Sequence, residues 1–143
     1  MTNWQSHVDP ACIFCKIVAG SIPAHKVYED AATLAFLDIA PMGRGHTLIL
    51  PKYHAADLEG LPEEVLLATA RATQAVARML RTRLNVVGLN VFQNNGAAAG
   101  QEVFHYHVHL MPRQPGDAVR FGRREPTEPA ALATLAALIR DEA

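Results

Sequence analysis

The chain of 143 residues, 50% of them hydrophobic, has the size of one compact domain with a hydrophobic core. Its 13 Lys and Arg residues nearly balance its 14 Asp and Glu residues, and the resulting net charge of -1 excludes a protein that holds nucleic acid or an anionic membrane through an overall basic charge. Residues 1–10 lack the apolar segment of a signal peptide, and no apolar run is long enough to span a bilayer, which predicts a cytoplasmic protein.

The predicted elements follow an N-terminal arm of residues 1–11, so that a single domain spans residues 12–143. A short helical turn is predicted from Cys12 to Gly20, because glycine readily adopts the left-handed conformation that follows a helix. The next three apolar runs are separated by turn residues, and they predict antiparallel strands at residues 26–30, 34–38 and 47–51.

The spacing of apolar residues changes to three and four between Leu61 and Leu84, which predicts one long helix. Its glutamates lie in the first turn and its arginines in the last, as the helix dipole favours. Further apolar runs predict strands at residues 88–93 and 104–110, a loop of small residues at 94–101 and a terminal helix at 130–140. The fold class is therefore α+β, a mainly antiparallel five-stranded sheet with one long helix and short terminal helices.

The predicted strand from Phe104 to Leu110 carries three histidines at alternate positions. Side chains alternate between the faces of a strand, so His105, His107 and His109 are expected on one face and the apolar residues on the other. A row of partly exposed surface histidines is one interpretation, disfavoured because histidine is uncommon and the strand is otherwise apolar. A catalytic zinc bound by all three histidines is another interpretation.

The chain has two cysteines, Cys12 and Cys15, separated by two residues. In a reducing compartment this spacing favours metal binding or redox chemistry over a structural disulfide. Two thiolates leave a tetrahedral zinc in need of two further ligands, which distant histidines can supply. The spacing alone leaves a redox pair and a reduced structural pair open, and a zinc bound by all three histidines would leave the cysteines without a role.

As a set, these residues resemble the histidine triad family, in particular bacterial members close to its adenosine phosphoramidate hydrolases. The similarity covers about a hundred residues in the family's order and spacing, which makes it more specific than any single motif. The tail from Gln114 carries little of it. The segments that carry the resemblance are residues 12–17, 22–23, 36–39, 45–54, 94–96, 99–101 and 105–113.

The resemblance implies a structural zinc as the cofactor. In family members with a Cys-x-x-Cys pair, the metal is held by the two cysteines, a histidine after the third strand and the first histidine of the triad. A closed site with four ligands leaves no position for a catalytic water. The corresponding residues are Cys12, Cys15, His54 and His105.

The resemblance also implies that His107 attacks the α-phosphorus of a purine nucleotide, and that water then resolves the nucleotidyl-histidine. His109 would bond the phosphate oxygens or the leaving atom, and His46 would support the triad. The remaining implied contacts are Asp38 to the ribose, Phe14, Ile39 and Leu48 around the base, Asn94 near the α-phosphate, and Gly100, Gln101 and Glu102 beside it. Without the resemblance, the apolar residues would be interpreted as core, Asp38 as a strand cap and Asn94 as a turn residue.

Glu102 departs from the family pattern, because known phosphoramidases carry a serine there. The predicted activity is that of a hydrolase or nucleotidyl transferase, with AMP-type nucleotides and nucleoside phosphoramidates as substrates. Hydrolysis of dinucleoside polyphosphates and a zinc-stabilised nucleotide-binding module are the alternatives. Nucleic acid and membrane partners are not expected. The resemblance further implies a homodimer that pairs residues 61–93. Arg120, Arg123 and Arg124 are interpreted as a solvated loop.

Overall fold

The computed structural model describes residues 7–122 and 124–141. Within these two ranges, no helix has the length and apolar character needed to cross a membrane. Part of the predicted N-terminal arm lies outside them, and its described part is docked on the domain. The His7 ring stacks on Tyr53 with 4.2 Å between centroids, and the His7 carbonyl accepts a hydrogen bond from the backbone N–H of His54.

The sheet has five strands, and all its neighbouring pairs are antiparallel. The first three follow one another as a meander, and the last strand in the chain inserts beside the third, which gives the order β1-β2-β3-β5-β4. The α+β fold class predicted above is confirmed. The strands are β1 (Lys26–Glu29), β2 (Thr33–Leu37), β3 (Thr47–Pro51), β4 (Gly88–Phe92) and β5 (Val108–Arg113).

Three α-helices pack on the two faces of this sheet: α1 (Ile13–Val18), α2 (Glu63–Leu84) and α3 (Pro129–Ile139). Helix α2 begins at two glutamates and ends at Asn85, which adopts the left-handed conformation with φ 51°. Single 3₁₀ turns at Leu58–Gly60 and Ala97–Ala99 complete the described elements.

Alternate residues of the strands supply two separate cores, because successive side chains point to opposite faces. One face packs against α2 and α3, with Ala35, Ile49 and Leu110 in contact with the helices. The other face, which includes Phe36 and Leu48, packs against α1. Most of the sheet is therefore covered, and α1 is the element that lies over the face from which His109 projects beside Leu48.

The strand predicted for residues 104–110 begins only at Val108, so His105 and His107 precede it. The reason is nonlocal: the backbone N–H of Tyr106 donates to the carbonyl of Ala55 at 2.8 Å, outside the strand ladder. The predicted division into two faces is also wrong at Phe104, which is 49% exposed. All three histidines are buried, so they do not form a surface row.

Candidate functional site

The two cysteines converge with two histidines from distant parts of the chain. Cys12 caps α1, since its Sγ accepts a hydrogen bond from the backbone N–H of Cys15 at 3.4 Å. His54 follows β3 and His105 precedes β5. The four possible ligand atoms all lie within 4.8 Å of one another.

The distances within this cluster fit a tetrahedral metal site. The Nδ1 atoms of His54 and His105 are 3.2 Å apart, and three of the four sulfur-to-nitrogen distances are 3.4, 3.5 and 3.6 Å. A tetrahedral zinc with ordinary bond lengths would separate two nitrogens by about 3.3 Å and a sulfur from a nitrogen by about 3.6 Å. The donor set of two thiols and two imidazoles therefore suits this ion.

Hydrogen bonding around the cluster also prepares it for a cation. His105 Nε2 donates to the carbonyl of Pro51 at 2.8 Å, which leaves Nδ1 unprotonated on the side of the cysteines. Burial raises the pKa of the Cys15 thiol to about 11. A bound cation would reverse this effect, because a coordinating thiol loses its proton.

A metal shared by all three histidines of the 105–109 stretch is not supported. Among the described residues, two clusters of possible metal ligands are present, and neither contains His107. The second cluster consists of Asp38, His46 and His109, and hydrogen bonds account for it, as shown below. The three histidines therefore have three different sets of partners.

His107 is held as a neutral imidazole with one nitrogen available. Its Nδ1–H donates to the backbone carbonyl of His105 at 2.6 Å, so Nε2 carries the free lone pair. Burial lowers the pKa of His107, and the hydrogen bond to His105 opposes this shift. The edge of the Phe14 ring lies against the imidazole, with 5.0 Å between centroids. A neutral, oriented imidazole of this kind is a nucleophile near pH 7.

His109 receives its orientation from a relay that starts at the backbone. The N–H of Met42 donates to His46 Nδ1 at 3.1 Å, so His46 carries its proton on Nε2. That N–H donates in turn to His109 Nδ1 at 2.9 Å. The proton of His109 is thereby assigned to Nε2, which makes His109 a hydrogen-bond donor toward an anion.

Phe92 fixes the ring plane of His109 and was not identified from the sequence. The two rings stack with 4.4 Å between centroids and an interplanar angle of 3°. The residues are direct partners in the β4–β5 register. Only knowledge of that register would reveal the contact, because an apolar residue at the end of a strand is otherwise interpreted as core.

The main cleft, of about 330 Å³, lies between α1 and the sheet and is lined by His107 and His109. Phe14 and Leu48 are buried in its wall, whereas Ile39 lies at the rim and is 69% exposed. The cleft is thus apolar over much of its wall and polar at one end. Its charged lining residues are Asp38, Glu102 and Arg124.

The loop before the histidines contributes unequally to the cleft. Gly100 lines it and has φ +91°, a conformation that favours glycine, and Glu102 lines it with a side chain that is 73% exposed. Gln101 is buried, and its side chain bonds the backbone of Ala56, Val103 and Gly96 at 2.6, 3.0 and 2.7 Å, so it holds the loop and does not line the cleft.

A side cavity of about 440 Å³ adjoins the main cleft. Asn94 lines this cavity and not the main cleft. Gly100, Glu102 and Arg124 line both spaces, so they form the boundary between them. Aromatic rings of Phe92 and Phe121, in edge contact with 4.8 Å between centroids, form another part of the side cavity.

The interpretation of the C-terminal arginines as a solvated loop is wrong for Arg124. Its Nη1 donates to Asp38 Oδ2 at 2.6 Å, while Asp38 Oδ1 accepts from the backbone N–H of Ala40 at 2.9 Å. Arg120 is exposed, and Arg123 lies outside the described residues. Arg124 and Asp38 are 86 positions apart, so no local pattern could have predicted the pair.

The free energy of unfolding should fall as the pH drops below about 6.5. Burial lowers the pKa of His46 to about 4 and that of His109 to about 3, from an ordinary value of 6.5. Between pH 6.5 and these lower values the histidines of the unfolded chain bind protons and those of the folded chain do not. Their contribution to stability is therefore complete above pH 6.5, the pKa in the unfolded chain, and it is lost as the pH falls toward their pKa values in the folded chain.

Urea unfolding over a pH series checks this prediction, with metal content measured at each pH to separate loss of metal from protonation. His46→Gln should flatten part of the acid dependence, because one of the buried histidines whose pKa is lowered is then absent. An acid dependence identical to that of the wild type would contradict the assignment.

Comparison with known proteins agrees with this arrangement. Residues 19–116 match the HIT domain. Protein hit of Bacillus subtilis is 48% identical over 107 residues, 75% of this chain and 74% of that protein. Adenosine 5'-monophosphoramidase HNT1 of Saccharomyces cerevisiae is 45% identical over 107 residues, 75% of this chain and 65% of that protein. The crystal structure of a Zn-bound histidine triad family protein from Mycobacterium smegmatis superposes with a TM-score of 0.82 at 42% identity, covering 92% of each chain.

The matched segment begins before β1 and ends after β5, so it contains the whole sheet and α2. His46, His107 and His109 lie within it, whereas the cysteine pair and Arg124 lie outside. Because the match includes the scaffold and the histidines that line and support the cleft, the chain belongs to the HIT domain family.

Proposed function

We propose that the protein hydrolyses nucleoside phosphoramidates at the α-phosphate of a purine nucleotide, through a nucleotidyl intermediate on His107. The observation that carries this proposal is the geometry of His107, whose Nδ1–H is occupied by the carbonyl of His105 while Nε2 is unprotonated. The 45% identity to adenosine 5'-monophosphoramidase HNT1 supports the phosphoramidate class of substrate.

In the first step His107 Nε2 attacks the α-phosphorus and bonds to it, while the bond between the phosphorus and the amine nitrogen breaks and the departing amine takes a proton from solvent. The imidazole becomes cationic while it carries the nucleotidyl group, and its Nδ1–H bond to the His105 carbonyl stabilises that charge. In the second step water attacks the same phosphorus and gives up a proton to solvent, the bond between Nε2 and phosphorus breaks, and the nucleoside monophosphate leaves with His107 neutral again. Two easier displacements thus replace one difficult displacement.

The Nε2–H of His109 stabilises the phosphate oxygens as charge develops on them, with the backbone of Gly100 and its neighbours. His46 supports this role by holding the tautomer of His109. Gln101 acts indirectly, because its side chain bonds the carbonyl of Ala56 and so holds the loop that carries Gly100 in place.

The cleft accommodates the nucleoside next to this phosphate position. Phe14, Ile39 and Leu48 would enclose the base, and Asp38 would accept hydrogen bonds from the ribose hydroxyls. The walls are apolar where a purine ring would lie, and Asp38 stands at the polar end.

Hydrolysis of dinucleoside polyphosphates is the second candidate, and the side cavity favours it. This space opens next to Glu102 and is bordered by Asn94 and the ring of Phe121, so a leaving group larger than an amine has room there. The exposed carboxylate of Glu102 lies 3.8 Å from Arg124 Nε, which offsets its repulsion of a phosphate. A third candidate, a nucleotide-binding module without turnover, is an outcome of the experiment below.

Zinc is the proposed cofactor, bound by Cys12, Cys15, His54 and His105 in a structural role. The tetrahedral distances within the cluster and the zinc in the structure from Mycobacterium smegmatis support it. Bound there, the ion would tie α1 and the end of β3 to the segment before β5. The two free thiols suit a reducing compartment such as the cytoplasm.

A homodimer through α2 and β4 completes the proposal. β4 is an edge strand, and an unpaired edge can extend into a second copy. Leu67 on α2 and Val91 on β4 are 57% and 56% exposed, and Val87 between these elements is 63% exposed. Apolar side chains on neighbouring elements favour association.

The proposal is tested by a single-turnover reaction with adenosine 5'-phosphoramidate, quenched in alkali because phosphohistidines are labile in acid. We expect release of AMP and a transient AMP adduct that peptide mapping places on His107. If the protein binds AMP but forms neither product nor adduct, with diadenosine polyphosphates as well, the binding module replaces the hydrolase.

A further inference from the structure

The main cleft has an unusual charge balance for a site that would receive a phosphate. Its described lining contains two carboxylates, Asp38 and Glu102, and one cation, Arg124. Burial keeps its histidines neutral, because it lowers the pKa of both His107 and His109. An anionic ligand would therefore be repelled by two groups and attracted by one.

Arg124 lies between the two carboxylates. Its Nη1 donates to Asp38 Oδ2 at 2.6 Å and to the carbonyl of Ala40 at 2.9 Å, and its Nε lies 3.8 Å from Glu102 Oε2. The side chain is 25% exposed. Nη2 has no hydrogen-bond partner in the part of the chain that the structure describes. The guanidinium is thus fixed at one end and has a donor to spare, in a group with five N–H donors in a planar fork.

The segment that carries Arg124 is held over the cleft by backbone bonds. The N–H of Glu125 donates to the carbonyl of Pro41 at 3.0 Å, and the N–H of Thr127 donates to the carbonyl of Ile39 at 3.4 Å. The chain then enters α3, which packs on the core. This segment follows the residues that match the HIT domain, so the placement of Arg124 comes from the C-terminal part of this chain.

We propose that Arg124 is a substrate-binding residue that contacts the phosphate of the bound nucleotide while it holds Asp38 in position. Nη1 keeps its bond to Asp38, and Nη2 donates to a phosphate oxygen at the boundary of the main cleft and the side cavity. The Arg124 guanidinium thereby holds Asp38, the proposed ribose-binding carboxylate, and also provides a positive charge next to the phosphate. The inference rests on the proposed function only for the identity of the ligand as a nucleotide.

A purely structural clamp is the competing explanation of the same contacts. In that case Arg124 would only fix the segment before α3 through its ion pair with Asp38. The two explanations differ in the size of the effect on an anionic ligand, because a clamp acts on its charge only through the general field of the cleft, whereas a phosphate contact adds a direct charge-assisted hydrogen bond.

Calorimetric titration with AMP and with adenosine, on the wild type and on Arg124→Gln, separates them. We expect the ratio of the affinity for AMP to the affinity for adenosine to fall about 10- to 100-fold in Arg124→Gln, the loss that accompanies removal of a charge-assisted hydrogen bond. Arg120→Gln is the matched control, since Arg120 is an exposed arginine of the same segment, and its ratio should stay at the wild-type value.

An unchanged ratio in Arg124→Gln overturns the proposal, even if both affinities fall together. If that variant does not fold, the Nε–H resonance of Arg124 in the wild-type protein gives the answer, assigned with Arg124→Lys. It should shift on addition of AMP and much less on addition of adenosine, and equal shifts overturn the proposal. Absence of turnover or adduct would refute the hydrolase without changing the affinity ratio, so the two failures are distinguishable.

Discussion

Replacing His107 with alanine should abolish hydrolysis of adenosine 5'-phosphoramidate while the zinc content and the affinity for AMP stay close to those of the wild type. We expect the turnover number to fall by a factor on the order of 10⁴ or more, the scale on which enzymes respond to loss of a nucleophile. The metal should remain, because His107 belongs to neither cluster of possible metal ligands among the described residues.

Three further variants, His25→Ala, His107→Gly and His109→Gln, test whether the loss of activity is specific to the His107 side chain. His25→Ala replaces a histidine that does not line the main cleft, and it should turn over substrate at the wild-type rate. His107→Gly, which leaves space for an added imidazole, should regain part of the activity when imidazole is supplied. Turnover by His107→Ala within tenfold of the wild type would place the nucleophile elsewhere. Loss of zinc from that variant would favour the catalytic-zinc interpretation.

His109→Gln separates the donor from the nucleophile. It should slow turnover less than His107→Ala does, because it changes only the proposed phosphate donor and leaves the proposed nucleophile in place. The adduct on His107 should therefore still form, only more slowly. This comparison uses the same single-turnover assay and belongs to the same prediction.

Local patterns were sufficient for most of the elements. The run of apolar residues at 47–51 predicts β3 with its observed bounds, and the helical spacing predicts α2 to within two residues of its start at Glu63. Both predictions rest on residues that are close together in the sequence, within one strand or a few turns of one helix. The strand expected at 104–110 starts late, because the backbone N–H of Tyr106 bonds the carbonyl of Ala55 outside the strand ladder.

The candidate site depends on contacts between distant residues, which no local pattern encodes. Cys15 and His105 are 90 positions apart, and only the family resemblance implied that they meet. The resemblance could not extend to Arg124, which lies beyond the residues that match the HIT domain. An arginine in a loop rich in Gly and Pro was interpreted as solvated, and a buried carboxylate at the end of β2 overrode that expectation.

Removing the metal should lower the free energy of unfolding by several kcal/mol. Zinc binding contributes about 10 kcal/mol or more to small zinc peptides that have no other core. This chain has two hydrophobic cores of its own, so we expect a smaller loss, about 3 to 6 kcal/mol, and a chain that still folds in the absence of metal. Mass spectrometry should find about one zinc per chain before chelation.

His54→Ala is the informative variant, because His54 is a proposed metal ligand but does not line the main cleft. It should lose zinc and show the same reduced stability as chelated wild type, and a chelator should then have no further effect. His54→Cys, which offers a thiolate in place of the imidazole, should retain the metal and most of the stability. A zinc-free wild-type protein with an unchanged urea midpoint would refute the structural role.

Loss of zinc should also weaken the affinity for AMP, although no proposed metal ligand lines the main cleft. Phe14, a wall of that cleft, precedes Cys15 in α1, and a helix of six residues has little stability without tertiary contacts. With the metal gone, α1 depends on the packing of its own apolar side chains, chiefly Phe14, Ile17 and Val18. Chelation should therefore raise the dissociation constant of adenosine and of AMP by the same factor, because the proposed contacts of this wall are to the base and not to the phosphate. Arg124→Gln should weaken the affinity for AMP more than the affinity for adenosine, so only this perturbation should change the ratio of the two affinities.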